Sequence, residues 1–365
     1  MNTSFDISKN GVNGFGRLFF LDFLKAISIA AVVSYHSTFL PRSSYESSAL
    51  LLDIIFTPLR FCVPIILTIS FILLEREFIT KPEENIWKLI KKRLTRLLIP
   101  ATFWFSLAAI LKIGTGNSLT KISIDILTGE IFTGSYYFLV IFQLLVLFGI
   151  LRKQLNKPAK LAVFCLLQII VYITLYSALR GNLSSDIISI LRIINRPLII
   201  YWFIYIAFGV LIYKNIYVLD KISNKIPFIA KLAIIIATSL LMIAEYSYLG
   251  KLTEGKIPPF DYLIYSCMLS VPGMFICFIN IEENKISSLV RNIVYLLSKY
   301  SLGIFCLNGI FSQIFLSFGS KIFREFQFNL IEVLVFRLVG WIFLLSVCLG
   351  VSVVIDKLGF KKLVC

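Results

Sequence analysis

Apolar runs recur along almost the whole chain, broken by short polar or basic segments, at about residues 18–38, 52–74, 97–113, 135–151, 161–179, 197–213, 231–249, 262–280, 301–318 and 330–355. Runs of about 17–25 apolar residues have the length of a helix that crosses a bilayer. The pattern therefore predicts ten transmembrane helices. Between the third and fourth runs, ISIDILTGEIF (residues 122–132) has the spacing of an amphipathic segment that lies on a membrane surface. The connecting segments are short and no internal repeat stands out, so the expectation is a single domain over residues 1–365. Residues 1–16, polar with several Gly and Asn, are expected to form a mobile cytoplasmic tail.

Composition turns this pattern into a class. The chain is 58% hydrophobic and 15% charged, outside the range of ordinary soluble domains. The fold class expected is all-α, a polytopic membrane helix bundle. A formal charge of +16 would suit nucleic acid, but the cations sit in short clusters between apolar runs rather than on one patch. That arrangement is a topology signal, so nucleic acid is excluded as a partner and membrane lipid is expected. With the N-terminus inside, the inner segments hold 23 Lys and Arg against 10 in the outer ones, which favours both termini in the cytoplasm. Six of the seven cysteines lie within apolar runs; with no CxxC pair or Cys/His cluster, neither a disulfide framework nor a metal site is expected. The aromatic residues, 15% of the chain, read as lipid-facing packing and interfacial belts.

The interruptions are more telling than the runs. The first, RLFFLDFLKAISIAAVVSYHSTF, carries Asp22, Lys25 and His36, and His36 is the only histidine of the chain. On a helix Lys25 and His36 fall within about 20° of each other and roughly 16 Å apart, with Asp22 about 40° from the same line. Each charge at mid-membrane costs on the order of 2.5–3.5 kcal/mol, so such a stripe belongs against a bundle interior or a wet cavity. His36 is the candidate general base, since imidazole accepts a proton near neutral pH. Asp22, about 21 Å along the helix, is too distant to orient the ring and is expected to pair with Lys25 at i,i+3. Asp53 or Glu245, on the outer halves of their runs, is the expected carboxylate to steer the imidazole. Arg60 lies deeper in the second run. Arg93 and Arg96, at i,i+3 within KLIKKRLTR, share one helix face and suit bidentate phosphate binding. Gln143 and Gln168 are expected to hydrogen-bond between helices, and Arg337 either lines the cavity or snorkels outward. The 180–196 loop, with three arginines, faces outward as a solvated segment.

These residues resemble a known family. LDFLKAISIAAVVSYH is similar to the first-helix signature of the acyltransferase-3 family of integral-membrane O-acyltransferases: an Asp, a basic residue three positions on, then ten residues and a His. Asp22, Lys25 and His36 match it. RFCVPIILTISFILL resembles the second-helix pattern at Arg60, Pro64 and Ser70; KKRLTRLLIP resembles the third-helix pattern at Arg93, Arg96 and Pro100. SKYSLGIFCLNGIF resembles a late motif at Ser301, Gly303 and Asn308, with Asn308 where the family often has His. The resemblance implies a membrane acyltransferase that takes an acyl group from an acyl-CoA, often acetyl-CoA, to a hydroxyl of an envelope polysaccharide or lipid-linked sugar in a bacterial cell membrane. It implies that Arg93 and Arg96 hold the donor phosphates and Lys25 helps seat the donor. His36 then deprotonates the acceptor hydroxyl or carries the acyl group. Acyl-CoA would be a co-substrate, with no permanently bound cofactor. The competing class is an exporter of a polysaccharide or lipid-linked sugar, which would favour paired broken helices in two corresponding halves; no such halves are visible.

Overall fold

The computed structural model describes residues 18–155, 158–177, 197–252, 262 and 264–365; the 1–16 tail and the 180–196 loop lie outside the described residues. Among them the chain is helical, with no strand. In order come α1 (Phe19–Tyr35), α2 (Glu46–Phe56), α3 (Cys62–Thr80), α4 (Ile86–Gly114), α5 (Leu119–Thr128), α6 (Tyr136–Leu151) and α7 (Pro158–Ser177). They are followed by α8 (Ile204–Lys214), α9 (Ile216–Lys225), α10 (Phe228–Leu252), α11 (Tyr265–Phe278), α12 (Ser288–Lys299), α13 (Ser301–Ile322) and α14 (Leu330–Lys357). Each of the ten apolar runs coincides with one of these helices, except the second, which takes in parts of two. Five helical runs (Arg42–Thr80, α4, α10, α13 and α14) are long and apolar enough to cross a membrane by length and composition.

Polar contacts sort the helix ends into two groups. At one end Asp22 meets Ser298, Glu75 pairs with Arg152, and Asn280 bonds Asn224. At the other Arg42 pairs with Asp53, Ser44 donates to the Phe323 carbonyl, and Lys112 pairs with Asp125. Successive apolar helices alternate between these groups, so the run of cations from Lys88 to Arg96 marks a basic end and residues 36–57 a far end. The predicted amphipathic segment appears as α5, capped by Ser118 and closed by Gly129 in the left-handed region at φ 73°.

Two runs depart from expectation. The second is not one helix: α2 stops at Phe56, a 3-10 turn covers Thr57–Phe61, and α3 follows. Pro58 lacks the N–H that a continuous helix needs at that position, and Thr57 turns its hydroxyl back to the Asp53 carbonyl at 2.7 Å. The break drives Arg60 inward, to 5% exposure. The sixth run opens with a 3-10 turn at Ile199–Tyr201 before α8. The amide of Gln143 donates to the Pro197 carbonyl at 2.7 Å and that of Gln168 to the Ile200 carbonyl at 3.2 Å. Both glutamines thus make the interhelical bonds expected of them, and both land on this irregular stretch.

α1 is the helix the others enclose: Leu24, Ile29 and Val33 have no exposed surface, and α1 packs against α3, α12, α13 and α14. Its far end is clamped by two glycines. A Cβ on Gly319 would collide with the Phe39 carbonyl, and one on Gly340 with the Ser37 carbonyl. Only the missing side chains let α13 and α14 close on the backbone that follows His36.

Candidate functional site

The site begins where α1 ends. His36 is the C-cap residue, its amide bonded to the Val33 carbonyl at 3.1 Å, and its side chain is half-buried. On either side the backbone is held. The Ser37 hydroxyl donates to the Ser34 carbonyl at 2.9 Å and the Arg337 carbonyl at 3.1 Å. Arg337 Nε donates to the Ser34 carbonyl at 3.1 Å, and Trp341 Nε1 to that of Ala30 at 2.9 Å. The Tyr35 hydroxyl donates to the Phe56 carbonyl at 2.5 Å, tying the end of α1 to the break in the second run. These bonds fix the turn that carries the imidazole.

Two guanidinium groups converge on the neighbouring ring. Arg60 lies 5.3 Å from the Tyr35 ring centre and Arg337 lies 5.8 Å from it. Arg337 also stands 3.4 Å over Phe56, and Arg60 lies 4.5 Å from Tyr246 and 5.9 Å from Tyr262. A desolvated cation on an aromatic face gains about 2 kcal/mol or more, enough to hold buried cations that a lipid-facing surface would not tolerate. Arg337 is 7% exposed, so of its two expected placements the inward one holds. From Tyr262 the aromatic wall continues to Tyr136 at 6.5 Å and Trp202 at 6.1 Å. This corrects the expectation for the aromatics: Trp202 is 1% exposed, Tyr136 and Tyr246 6%, and all three line the interior.

Asp53 and Glu245, the carboxylates expected to steer His36, bond other partners. Asp53 accepts from Arg42 at 3.1 Å on an exposed surface. Glu245 accepts from the Tyr176 hydroxyl, from the backbone amides of Tyr265 and Ser266 at 2.9 and 2.8 Å, and from the Ser266 hydroxyl. It caps the N-terminus of α11, where a negative charge meets the helix dipole. Both carboxylates are far-end structural groups. Nothing in the sequence announced these Glu245 bonds, because the partners lie 20 to 69 residues away in the chain.

At the basic end, Asp22 accepts from the Ser298 hydroxyl at 2.5 Å and ties α1 to α12. Lys25 is half-buried and within electrostatic reach of Cys365, as are Lys299 and Lys361. The segment before Cys365 is pinned inside the bundle: Trp104 Nε1 donates to the Leu363 carbonyl at 2.9 Å, and the Gly303 amide to that of Val364 at 3.1 Å. Asp356, at 2.7 Å, and then the Tyr300 hydroxyl bond the Lys299 ammonium and hold its pKa above the usual lysine range. Arg93 turns inward toward Tyr137 and Glu77, with Arg96 close by but exposed. The Tyr137 hydroxyl lies close to Ser70. The second- and third-helix motifs therefore meet at Ser70, Tyr137 and Arg93, a junction whose middle member the sequence did not single out.

Asn308 stands apart. It is 1% exposed, and neither side-chain amide atom has a hydrogen-bond partner among the described residues. On α13 it falls within about 20° of Gly319 and roughly 16 Å toward the basic end. It therefore shares the face that abuts the chain just after His36. An unbonded buried amide costs about 1–3 kcal/mol, the mark of a group kept for a partner it meets only part of the time. No group of three His, Cys, Asp or Glu side chains able to hold a metal occurs among the described residues.

A family model described as an acyltransferase domain matches residues 18–357, from the first turn of α1 to the last of α14. No curated protein and no solved structure matches the chain.

Proposed function

The chain belongs to the acyltransferase-3 family, and from that membership we propose that it carries an acetyl group from acetyl-CoA to a sugar hydroxyl of an envelope glycan or lipid-linked sugar. The protein is an integral-membrane acyltransferase, which sets the exporter reading aside. The observation that carries the finer reading is the separation of two cationic regions along α1: Lys25, Arg93 and Arg96 at the basic end, Arg60 and Arg337 around the ring of Tyr35, next in the chain to His36, at the far end.

In this scheme the basic end faces the cytoplasm of a bacterial cell. The donor phosphates rest on Arg93 and Arg96, with Lys25 at the mouth, and the thioester reaches about 16 Å along α1. His36 takes the proton of the acceptor hydroxyl as its oxygen attacks the thioester carbonyl. The C–S bond breaks, and the imidazolium returns the proton to the departing thiolate. Transfer through an acyl-imidazole balances equally well: the ring nitrogen attacks first and the sugar oxygen then displaces it. Arg60 supplies positive charge to the developing oxyanion. Arg337 is a positioning residue, acting through the Ser34 carbonyl and the Ser37 hydroxyl. The Tyr136, Trp202 and Tyr262 wall supplies apolar faces against which a sugar ring packs.

The test is direct. Purified protein is incubated with [14C]acetyl-CoA and a panel of membrane glycolipids. Alkali-labile label in the acceptor fraction supports the reading; label appearing only as free acetate or as an amide overturns it.

A further inference from the structure

One feature of α13 is left over by the chemistry at His36. Gln313, Ser317, Ser320 and Lys321 fall within a sector of about 100° of the helix, turned well away from the Gly319 face, and Arg324 follows just past its end. Gln313 and Ser317 lie within the apolar run, where polar groups against lipid are costly, and Ser320, Lys321 and Arg324 continue the stripe beyond it. These five residues instead line a cavity of about 870 Å³, walled on the opposite side by Pro41 and Ser43. On the helix the stripe extends about 12 Å, from Lys321 near the far end down to Gln313. At its floor the Gln313 amide donates to the Thr133 hydroxyl at 3.3 Å. No carboxylate lines the groove, and neither Lys321 nor Arg324 forms an ion pair among the described residues. The opposite wall is fixed, because the Phe328 amide and the Ser44 hydroxyl bond across it at 2.8 Å (to the Ser44 carbonyl) and 2.6 Å (to the Phe323 carbonyl).

We propose that this groove binds an acidic glycan, with Lys321 and Arg324 taking its carboxylates or phosphates at the mouth and Ser320, Ser317 and Gln313 bonding hydroxyls below. The proposal rests on the acyl-transfer reading only in taking the glycan to be the acceptor; the binding itself does not depend on it. A phospholipid headgroup shares the anionic chemistry, but an acyl chain beneath it would leave two hydroxyls and an amide facing hydrocarbon. The depth of the polar stripe therefore favours a sugar chain.

Full-length protein in phosphatidylcholine nanodiscs is titrated with fluorescent tetragalacturonate and with its methyl ester, which keeps the sugar and removes the charge. The wild type binds the acid about tenfold more tightly than the ester, and the preference disappears in the Lys321→Gln, Arg324→Gln double variant. Gln313→Leu weakens both probes alike. The thermal midpoint, measured on the same samples, stays at the wild-type level in every variant and shows that each is folded. Equal affinity for acid and ester, or an unchanged preference in the double variant, overturns the proposal. So does loss of tetragalacturonate binding when phosphatidylglycerol replaces a third of the lipid, which would make the groove a headgroup site. Failure of acetyl transfer with intact acid-selective binding would count against the acyl-transfer reading alone.

Discussion

Both ends hold a buried and an exposed cation (Arg152 against Glu75 at the basic end, Arg42 beside Asp53 at the far end), but the cations assigned to donor binding and to chemistry are held in opposite ways. At the basic end cations meet carboxylates near water: Lys299 lies 2.7 Å from Asp356 and Lys92 3.6 Å from Glu77, while Arg96 is exposed. Such pairs contribute roughly 0–1 kcal/mol each and are screened by salt, so they rearrange readily around an incoming anion. At the far end Arg60 and Arg337 are 5% and 7% exposed and held by ring faces and backbone carbonyls. There the charge is desolvated and its geometry fixed. The first arrangement suits capture and release of a charged donor. The second suits a step in which charge develops at one place and must be met without reorganisation.

If that division of labour is right, substitutions at the two ends must fail differently. The largest effect is expected from His36→Ala, which lowers turnover by about 10²–10⁴-fold without unfolding the protein; acetyl transfer in detergent measures it, and a loss below tenfold would erase the distinction. Next is Arg337→Met. It frees the turn that carries His36, and a displacement on the order of 1 Å costs about 10²-fold in rate. The thermal midpoint should hardly move, because lost contacts are offset by no longer burying a charge. A large stability loss with normal turnover per folded molecule would make Arg337 merely structural. The Arg93→Gln, Arg96→Gln pair should raise the KM for acetyl-CoA about tenfold while kcat survives; added salt should mimic part of that effect in the wild type. The smallest change is expected from Glu245→Gln. Losing the charge at the start of α11 removes ~1 kcal/mol, lowering the midpoint by a few degrees and leaving kcat within about twofold.

Much of this layout is legible in the sequence, for physical reasons that also mark where legibility ends. The helices announce themselves through apolar runs, and the stripe of Asp22, Lys25 and His36 stands out because charge on such a run demands an interior. The break at Thr57–Phe61 has only Pro58 as a local signal, in a run whose hydropathy is otherwise continuous. Tyr35, Tyr246 and Tyr262 come together around Arg60 from positions spread over more than 200 residues. No periodicity reports a contact of that range. Composition read the aromatics as lipid-facing, when tertiary packing turns Trp202 and its neighbours inward. Glu245 shows the same limit from the other side: its depth was readable, but its partners at the start of α11 were not.

The most direct test separates donor capture from chemistry in one pulse–chase experiment. Protein is equilibrated with [14C]acetyl-CoA, bound donor is counted, and acceptor glycolipid is then added in excess. The account predicts that His36→Ala binds the donor like the wild type and transfers nothing, whereas the Arg93→Gln, Arg96→Gln variant binds it weakly yet transfers what it holds. Normal transfer by His36→Ala, or loss of donor binding and transfer together in that variant, would contradict it.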